Sequence, residues 1–378
     1  GGPAAAGPPR PGIWGFRATP SVPLLSGIRP LRKWANARGS SLRVQAHGAP
    51  ANLLDMYATA EIPETEVFGA SIFDIPGFRR DPQWIRPDRQ SDLVNRFASS
   101  AAHVADRDLI ISESFTWLRN HYHATLSQIK AEADKLLLNG INGIYYHGIC
   151  FAPEEAAWPG WLFYASTQAN ARNSIFRDIP VLNAYISRCQ SLLQAGRPHN
   201  DVLLYWPVYD LWMDVGQGER RFTVHDPDWI EKTDCGAAGR WMIDHGYTFD
   251  FVSDRQLRQL RCEDRVLKTA QGNRYLAILI PGARYFTPET TQQLIALANA
   301  GATVLIWKEL PQDVPGWRDH ADRQRLLDAL LDEIQPDDTG AAVIGSGNFL
   351  VADDLSKLLD AAEIPREALV DFGLQFLR

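Results

Sequence analysis

The chain has 378 residues and a formal net charge of -7, with 45% hydrophobic and 22% charged residues. That composition is ordinary for a globular protein and excludes bulk disorder and an extended coiled coil. No apolar run reaches the 18 or more residues of a membrane helix, so no membrane partner is expected. Net acidity argues against nucleic acid, whose phosphates need a basic face.

Residues 1–40 carry seven Pro, seven Gly, five Arg and one Lys but no acidic residue, a segment charge of +6 that leaves -13 for residues 41–378. Such a stretch buries too little apolar surface to offset its ordering entropy and is expected to be a disordered or foreign leader. It has no start Met, no continuous apolar core and no small-residue cleavage site of a secretory signal. Cys150, Cys189, Cys235 and Cys262 stand far apart, which disfavours both a disulfide framework and a zinc ribbon.

From Ser41 the pattern alternates short apolar strands with helices. Strands are expected at Arg43–His47, Ala60–Pro63, Leu109–Ile111 and Ile141–Tyr146, with a helix over about Ala124–Leu138 that stops at Asn139-Gly140. Alternating strands and helices predict a parallel sheet with right-handed crossovers. The four strands run into His47, into Glu64 and Glu66, into Glu113 and into His147. In a (β/α)₈ barrel, residues just past the C-terminal strand ends form the active site, so the pattern predicts part of a barrel, about four C-terminal strands, over residues 41–200.

A flavodoxin-like α/β domain is expected over residues 201–345, with strands near Val202–Tyr205, Thr248–Val252, Tyr275–Ile280 and Val304–Trp307. Thr287-Pro288-Glu289 opens a helix that Gly301 closes. Residues 346–378 are expected to begin a further, truncated region. Neither a dinucleotide fingerprint nor a phosphate-binding P-loop is present, and no nucleophile-elbow serine.

Glu64 and Glu66 sit two apart on an extended segment, roughly 6.6 Å from each other on one side. At an effective dielectric of about 20 they repel by about 2.5 kcal/mol, so the carboxylates face water, share a proton or hold a cation such as Ca²⁺. Glu113, between an apolar run and Phe115 and Trp117, is placed for general acid or base work, or for a structural pair with Arg119. His47 and His147 could orient carboxylates or sugar hydroxyls, or be structural. Trp158-Pro159-Gly160-Trp161 could stack on a sugar ring or fill a core. Paired carboxylates at strand ends, aromatics and no cofactor motif suggest glycoside hydrolysis.

Several phrases in order, RVQAHGAPANLLD (Arg43–Asp55), EIPETEVFG (Glu61–Gly69), SESFTWL (Ser112–Leu118), GINGIYYHG (Gly140–Gly148), WPGWLFYAST (Trp158–Thr167) and DVLLYWPVYD (Asp201–Asp210), resemble the α-L-rhamnosidases of glycoside hydrolase family 106. The likeness runs from about Ser41 to the end and leaves out residues 1–40. It implies removal of terminal α-L-rhamnose with inversion, aided by calcium, from a rhamnose-containing glycan or glycoside. It further implies Glu113 and Glu64 as catalytic carboxylates, with Glu113 as the base, Glu66 as a metal ligand, and His47, His147, Trp117 and Trp161 at the substrate. Gly143 and Ile149-Cys150 depart from the His and Thr of the family pattern. Members of that family are longer, so the chain is expected to be a C-terminal part that is poorly active alone; they are often exported, while this sequence leaves its location open. Another barrel glycosidase, such as a β-galactosidase, or a non-catalytic carbohydrate-binding module are the alternatives.

Overall fold

The computed structural model describes residues 15, 17–69, 75, 91–118, 121–214 and 221–378. In chain order, the first half holds α1 (Ser21–Asn36), β1 (Arg43–Gln45), α2 (Leu53–Ala58), β2 (Ile62–Gly69), α3 (Asp92–Val104), β3 (Ile111–Trp117), α4 (Leu126–Leu138), β4 (Gly143–Tyr146) and α5 (Ile179–Ala195). The second half holds β5 (Val202–Tyr205), α6 (Val208–Met213), α7 (Asp228–Glu231), α8 (Asp234–Asp244), β6 (Phe249–Val252) and α9 (Asp254–Leu257). There follow β7 (Arg261–Glu263), β8 (Val266–Lys268), β9 (Arg274–Tyr275), β10 (Ala277–Pro281), α10 (Pro288–Asn299), β11 (Thr303–Trp307), α11 (His320–Leu331), β12 (Ala341–Ile344), β13 (Gly347–Ala352) and α12 (Leu355–Ala361).

The fold is mixed α/β with parallel sheets. Strands β1-β2-β3-β4 pair in that order, all parallel. A second sheet has the order β12-β13-β11-β10-β5-β6, parallel except for the β12–β13 pair. Strands β7, β8 and β9 form a small antiparallel sheet.

Local chemistry sets the helix ends. Thr125 caps α4 by accepting from the Gln128 N–H, while the Gln128 side chain accepts from the Thr125 N–H, which satisfies two otherwise orphan donors. Beyond its C-terminal end Gly140 adopts φ +82, where a Cβ would come within 3.0 Å of Ser99 Cβ. Thr287 caps α10 with Pro288 in the first turn.

The two large sheets share one core. Helix α3 lies between them, buried along Leu93, Phe97, Ala98, Ala101 and Ala102. Phe97 packs edge-on to Trp206 and Trp229, with ring centres 4.8 and 5.0 Å away, and tilts against Phe251 at 4.5 Å. On its other side, α3 meets β2, where the Thr65 hydroxyl donates to Asn95 Oδ1 at 3.1 Å.

Three expectations need correction. Disorder across residues 1–40 fails for Ser21–Asn36, which form α1; Arg32 pairs with Glu61, and Arg17 donates to the Trp212 carbonyl at 3.0 Å. Residues 1–14 and 16 lie outside the described residues. The segment 346–378 does not begin a further region: β13 pairs with β11 over Thr303–Trp307, and Arg378 reaches back to Asp201 Oδ2 at 2.5 Å. The paired apolar alternation of Phe349 and Val351 with β11 explains why this stretch belongs to the sheet. Finally, Glu64, Glu66 and Glu113 lie inside β2 and β3, not beyond their ends.

The shared core makes two stability predictions. Phe97→Ala should cost about 3–5 kcal/mol in denaturant unfolding, because three aromatic partners from the second half of the chain lose their contact. Burial pushes the Asp55 carboxyl up to about 6, with Asp254 adding to the rise, while Ser253, Arg258 and Arg29 oppose it. Above the ordinary value of 3.8 the unfolded chain releases this proton first, so stability falls as pH rises to about 6 and stays lower beyond. Asp55→Asn keeps an acceptor for the Ser253 hydroxyl. Its stability relative to the parent should climb between those pH values, by on the order of 3 kcal/mol, and then level off.

Candidate active site

Side chains alternate along each strand, so paired residues of parallel neighbours share a face. Glu64 lies opposite Gln45 on β1 and opposite Ile111 on β3, and Glu66 lies opposite Glu113. Glu113 in turn pairs with Tyr145 on β4. One face of the four-stranded sheet therefore carries Arg43 and Gln45, Glu64 and Glu66, Glu113, and Tyr145. Val44, Thr65, Val67 and Ser112 point to the opposite side, where Val67 joins the core. The three predicted carboxylates are brought together, and a sheet face rather than a rim of strand tips does it.

Each carboxylate has a different neighbour. Arg43 Nε sits 2.9 Å from Glu64 Oε2, and the Glu64 side chain is 6% exposed. Burial raises the Glu64 carboxyl above its ordinary range; Arg43 pulls it down, and Glu113 and Glu66 push it up. His47 Nε2 lies 2.9 Å from Glu66 Oε2. Gln45 Nε2 donates to Glu113 Oε2 at 2.9 Å, and His147 Nε2 lies 3.7 Å from Glu113 Oε1. Glu113 is 31% exposed, which makes it the most accessible of the three.

A bulge follows Glu113. Between Glu66 and Phe68 the pairing shifts from Glu113 to Thr116, so β3 holds one extra residue, and Phe115 takes φ +66. A buried aromatic in the left-handed region is uncommon and marks a re-aimed strand. Thr116, not Phe115, returns to the side of Phe68, and Phe115 and Trp117 turn into a core with Ala124, Ile129 and Ala133. Trp117 is thereby corrected as a substrate contact, since it is fully buried there.

Trp161 is 60% exposed, on a loop beyond β4 that also brings Phe163 against His147 with ring centres 5.3 Å apart. Gly143 belongs to the carboxylate face, and a Cβ there would come within 2.7 Å of Ile111 Cγ2, so a histidine at that position would have to displace the Ile111 side chain. Arg119, the suggested partner of Glu113, lies outside the described residues. Gln45, Arg43 and His225 escaped the sequence pattern. Alternation from Glu64 and Glu113 would have found the first two, whereas His225 arrives on a loop with no motif.

The expected metal ligand can be tested against its surroundings. Ligand atoms of His47, Glu66 and His225 lie within 4.8 Å of one another. Two imidazoles and one carboxylate suit ions that accept nitrogen, whereas Ca²⁺ takes six to eight oxygens. Glu64 and Glu113 are engaged by Arg43 and Gln45. The residues at Glu66 therefore do not fit calcium. Cavities of about 370, 300 and 220 Å³ open elsewhere, and none is lined by the three carboxylates.

Comparison with known proteins gives a family match. The family described as alpha-L-rhamnosidase matches residues 31–375, ten residues further toward the N-terminus than the sequence resemblance placed it. A protein of Formosa agariphila, provisionally named a beta-glucuronidase, is 23% identical over 360 residues, spanning 93% of this chain and 27% of its own length. Among solved structures, a rhamnosidase from Novosphingobium sp. PP1Y superposes with a TM-score of 0.70 at 19% identity, covering 94% of this chain and 31% of that one. A beta-galactosidase from Rahnella sp. R3 gives 0.55 at 12% identity, over 96% of this chain and 60% of that one. At these identities the structural likenesses show a shared fold. The chain spans about a quarter to a third of the length of the first two relatives.

The donor set makes a direct prediction. Millimolar Ca²⁺ should leave the melting temperature of this chain unchanged in differential scanning fluorimetry. A calcium-dependent rise that Glu66→Gln removes would overturn it.

Proposed function

Because the chain belongs to the alpha-L-rhamnosidase family of glycoside hydrolases, we propose that its carboxylate face forms part of a site that cuts the bond to a terminal α-L-rhamnose, with inversion. Glu113 is the base in this proposal: it takes a proton from the water whose oxygen attacks the anomeric carbon as the glycosidic bond breaks. The observation that carries it is the accessible Glu113 carboxylate, oriented by Gln45 at 2.9 Å and open to water on the face it shares with Glu64 and Glu66. A base must reach solvent and hold a fixed direction, and Glu113 meets both requirements.

Glu64 is better suited to shaping the field than to proton transfer, because its buried carboxylate faces Arg43. No described residue is assigned the acid that protonates the leaving oxygen; in an inverting site it stands roughly 6.5–9.5 Å from the base. His47 and His147 would hold Glu66 and Glu113 or meet sugar hydroxyls. The mechanism contains no calcium step, since Glu66 stands beside two imidazoles.

The same proposal extends to architecture. Four parallel strands in sequential order, with α3 against one face and carboxylates on the other, support an arc of a (β/α)₈ barrel. The parallel strands of the second sheet run β6-β5-β10-β11-β13, the 2-1-3-4-5 order of flavodoxin-like domains.

The test is hydrolysis of p-nitrophenyl α-L-rhamnoside, with aryl β-galactoside and β-glucuronide as competitors for the same site. The rhamnoside should be preferred, proton NMR in D₂O should show β-L-rhamnose as the first product, and Glu113→Gln should lower the rate by roughly 10²–10⁴-fold with affinity retained. Undiminished turnover in Glu113→Gln would remove it as the base.

A further inference from the structure

We propose that His47, Glu66 and His225 form a binding site for a divalent transition-metal ion of the zinc type. Their ligand atoms lie within 4.8 Å of one another, and among the described residues no other three His, Cys, Asp or Glu side chains converge in this way. The inference stands on these donor atoms and on the loop that carries His225, and it does not depend on the rhamnosidase proposal.

His47 supplies the observation that points to an ion. Its side chain is 10% exposed, and Nδ1 is closed to solvent with no hydrogen-bond partner. Nε2 is equally closed and lies 2.9 Å from Glu66 Oε2, yet the pair lacks hydrogen-bond geometry. Buried polar atoms are nearly always hydrogen-bonded, so two that approach without bonding call for a shared partner. At metal bond lengths of about 2.1 Å, two ligand atoms of one ion stand roughly 3.0–4.2 Å apart. The separation of His47 from Glu66 sits at the short end of that range. His225 is the exposed member, and an inward movement of under about 1 Å brings it into the same range.

The backbone holds His225 close before any ion arrives. The Gly48 N–H donates to the Phe222 carbonyl at 2.8 Å, tying the residue after His47 to the start of the His225 loop. Phe222 is fully buried against Trp206 and Trp229, with ring centres 5.1 and 5.2 Å away, and Trp229 Nε1 donates to the Thr223 carbonyl at 2.9 Å. From β2, Phe68 meets the His225 ring edge-on at 4.3 Å. Two segments far apart in sequence are thus pinned beside Glu66, which lowers the ordering cost of binding.

Donor chemistry selects the class of ion. Imidazole nitrogens suit zinc and its first-row neighbours, and two His with one Glu hold zinc in sites that keep a further position open for water or a ligand oxygen. Calcium takes six to eight oxygens instead. Glu66 lies opposite Glu113 on the neighbouring strand, and Glu64 shares their face, so the surrounding charge also favours a cation. The ion joins β2 to the loop of the second half of the chain and fixes the direction of the Glu66 carboxylate.

The experiment uses the full chain, stripped with a chelator and dialysed, then titrated with Zn²⁺ by calorimetry. One ion should bind per chain, with a Kd of about 1 μM or tighter. Zinc at about 100 times that Kd should raise the melting temperature, and the rise should grow with the logarithm of free zinc. Co²⁺ in its place should give the visible absorption of nitrogen-bound cobalt. His47→Ala, His225→Ala and Glu66→Gln should each weaken zinc binding by at least about tenfold and remove the cobalt bands. Because His225 is exposed, His225→Ala should melt at the parent's temperature without metal, which separates a lost ligand from a lost fold. Absence of stoichiometric zinc binding, or tight binding that survives His47→Ala combined with His225→Ala, overturns the site. None of these readouts uses hydrolysis, so either result leaves the rhamnosidase proposal standing.

Discussion

The register between β2 and β3 is the constraint on which the site depends. Pairing Glu66 with Glu113 fixes three carboxylates on one face, because a strand's side chains alternate with a period of two. A slip of one residue would carry Glu64 and Glu66 into the core and put Thr65 and Val67 outside. The opposite face prevents that slip: Val67 is buried in the shared core, and Thr65 bonds to Asn95 on α3. The cost of gathering like charges is offset locally by Arg43 at Glu64, while His47 Nε2 lies beside Glu66 and Gln45 donates to Glu113. Function on one face thus requires apolar packing on the other.

Helix α3 makes that packing common to both halves of the chain. Phe97 takes its partners Trp206, Trp229 and Phe251 from the second half, so the second sheet buttresses the helix that holds the register of the first. The antiparallel β12–β13 pair and the return of Arg378 to Asp201 close the second sheet in turn. Residues far from any carboxylate therefore control the geometry of the site through a single buried helix.

Much of this was legible in the sequence. Short β-rich runs marked all four strands of the first sheet, because continuous apolar segments bounded by polar clusters have few other solutions. Helix α4 was legible from its period and its Asn-Gly stop, and α10 from its Thr-Pro start. Helix α3 went unread although Leu93, Phe97, Ala101 and Val104 recur at helical spacing, since its alanine and serine content weakens the apolar contrast. The strand ends were misjudged for a physical reason. Pairing continues through charged residues when the neighbouring strand supplies hydrogen bonds, so Glu64, Glu66 and Glu113 extend β2 and β3 instead of ending them. Trp117 misled because the bulge at Phe115 reverses the alternation, and no local motif announces a non-glycine residue with positive φ. The N-terminal helix was missed because composition describes an isolated segment, whereas α1 is tied down by Glu61, far away in sequence.

In the proposed mechanism, placement inside the strands also divides the work among the carboxylates. A group on a hydrogen-bonded strand is held more rigidly than one on a loop, which suits a site where small displacements cost rate. Rigidity alone does not choose the base, since all three glutamates have it. Accessibility does: Glu64 and Glu66 are nearly closed to solvent and each faces a basic group, whereas Glu113 keeps about a third of its side chain open and its firmest partner is a neutral amide. A neutral donor orients a carboxylate without placing an opposite charge beside it. The same sheet that buries two carboxylates therefore leaves the third accessible, and the difference arises from which residues of the neighbouring strands lie beside each one.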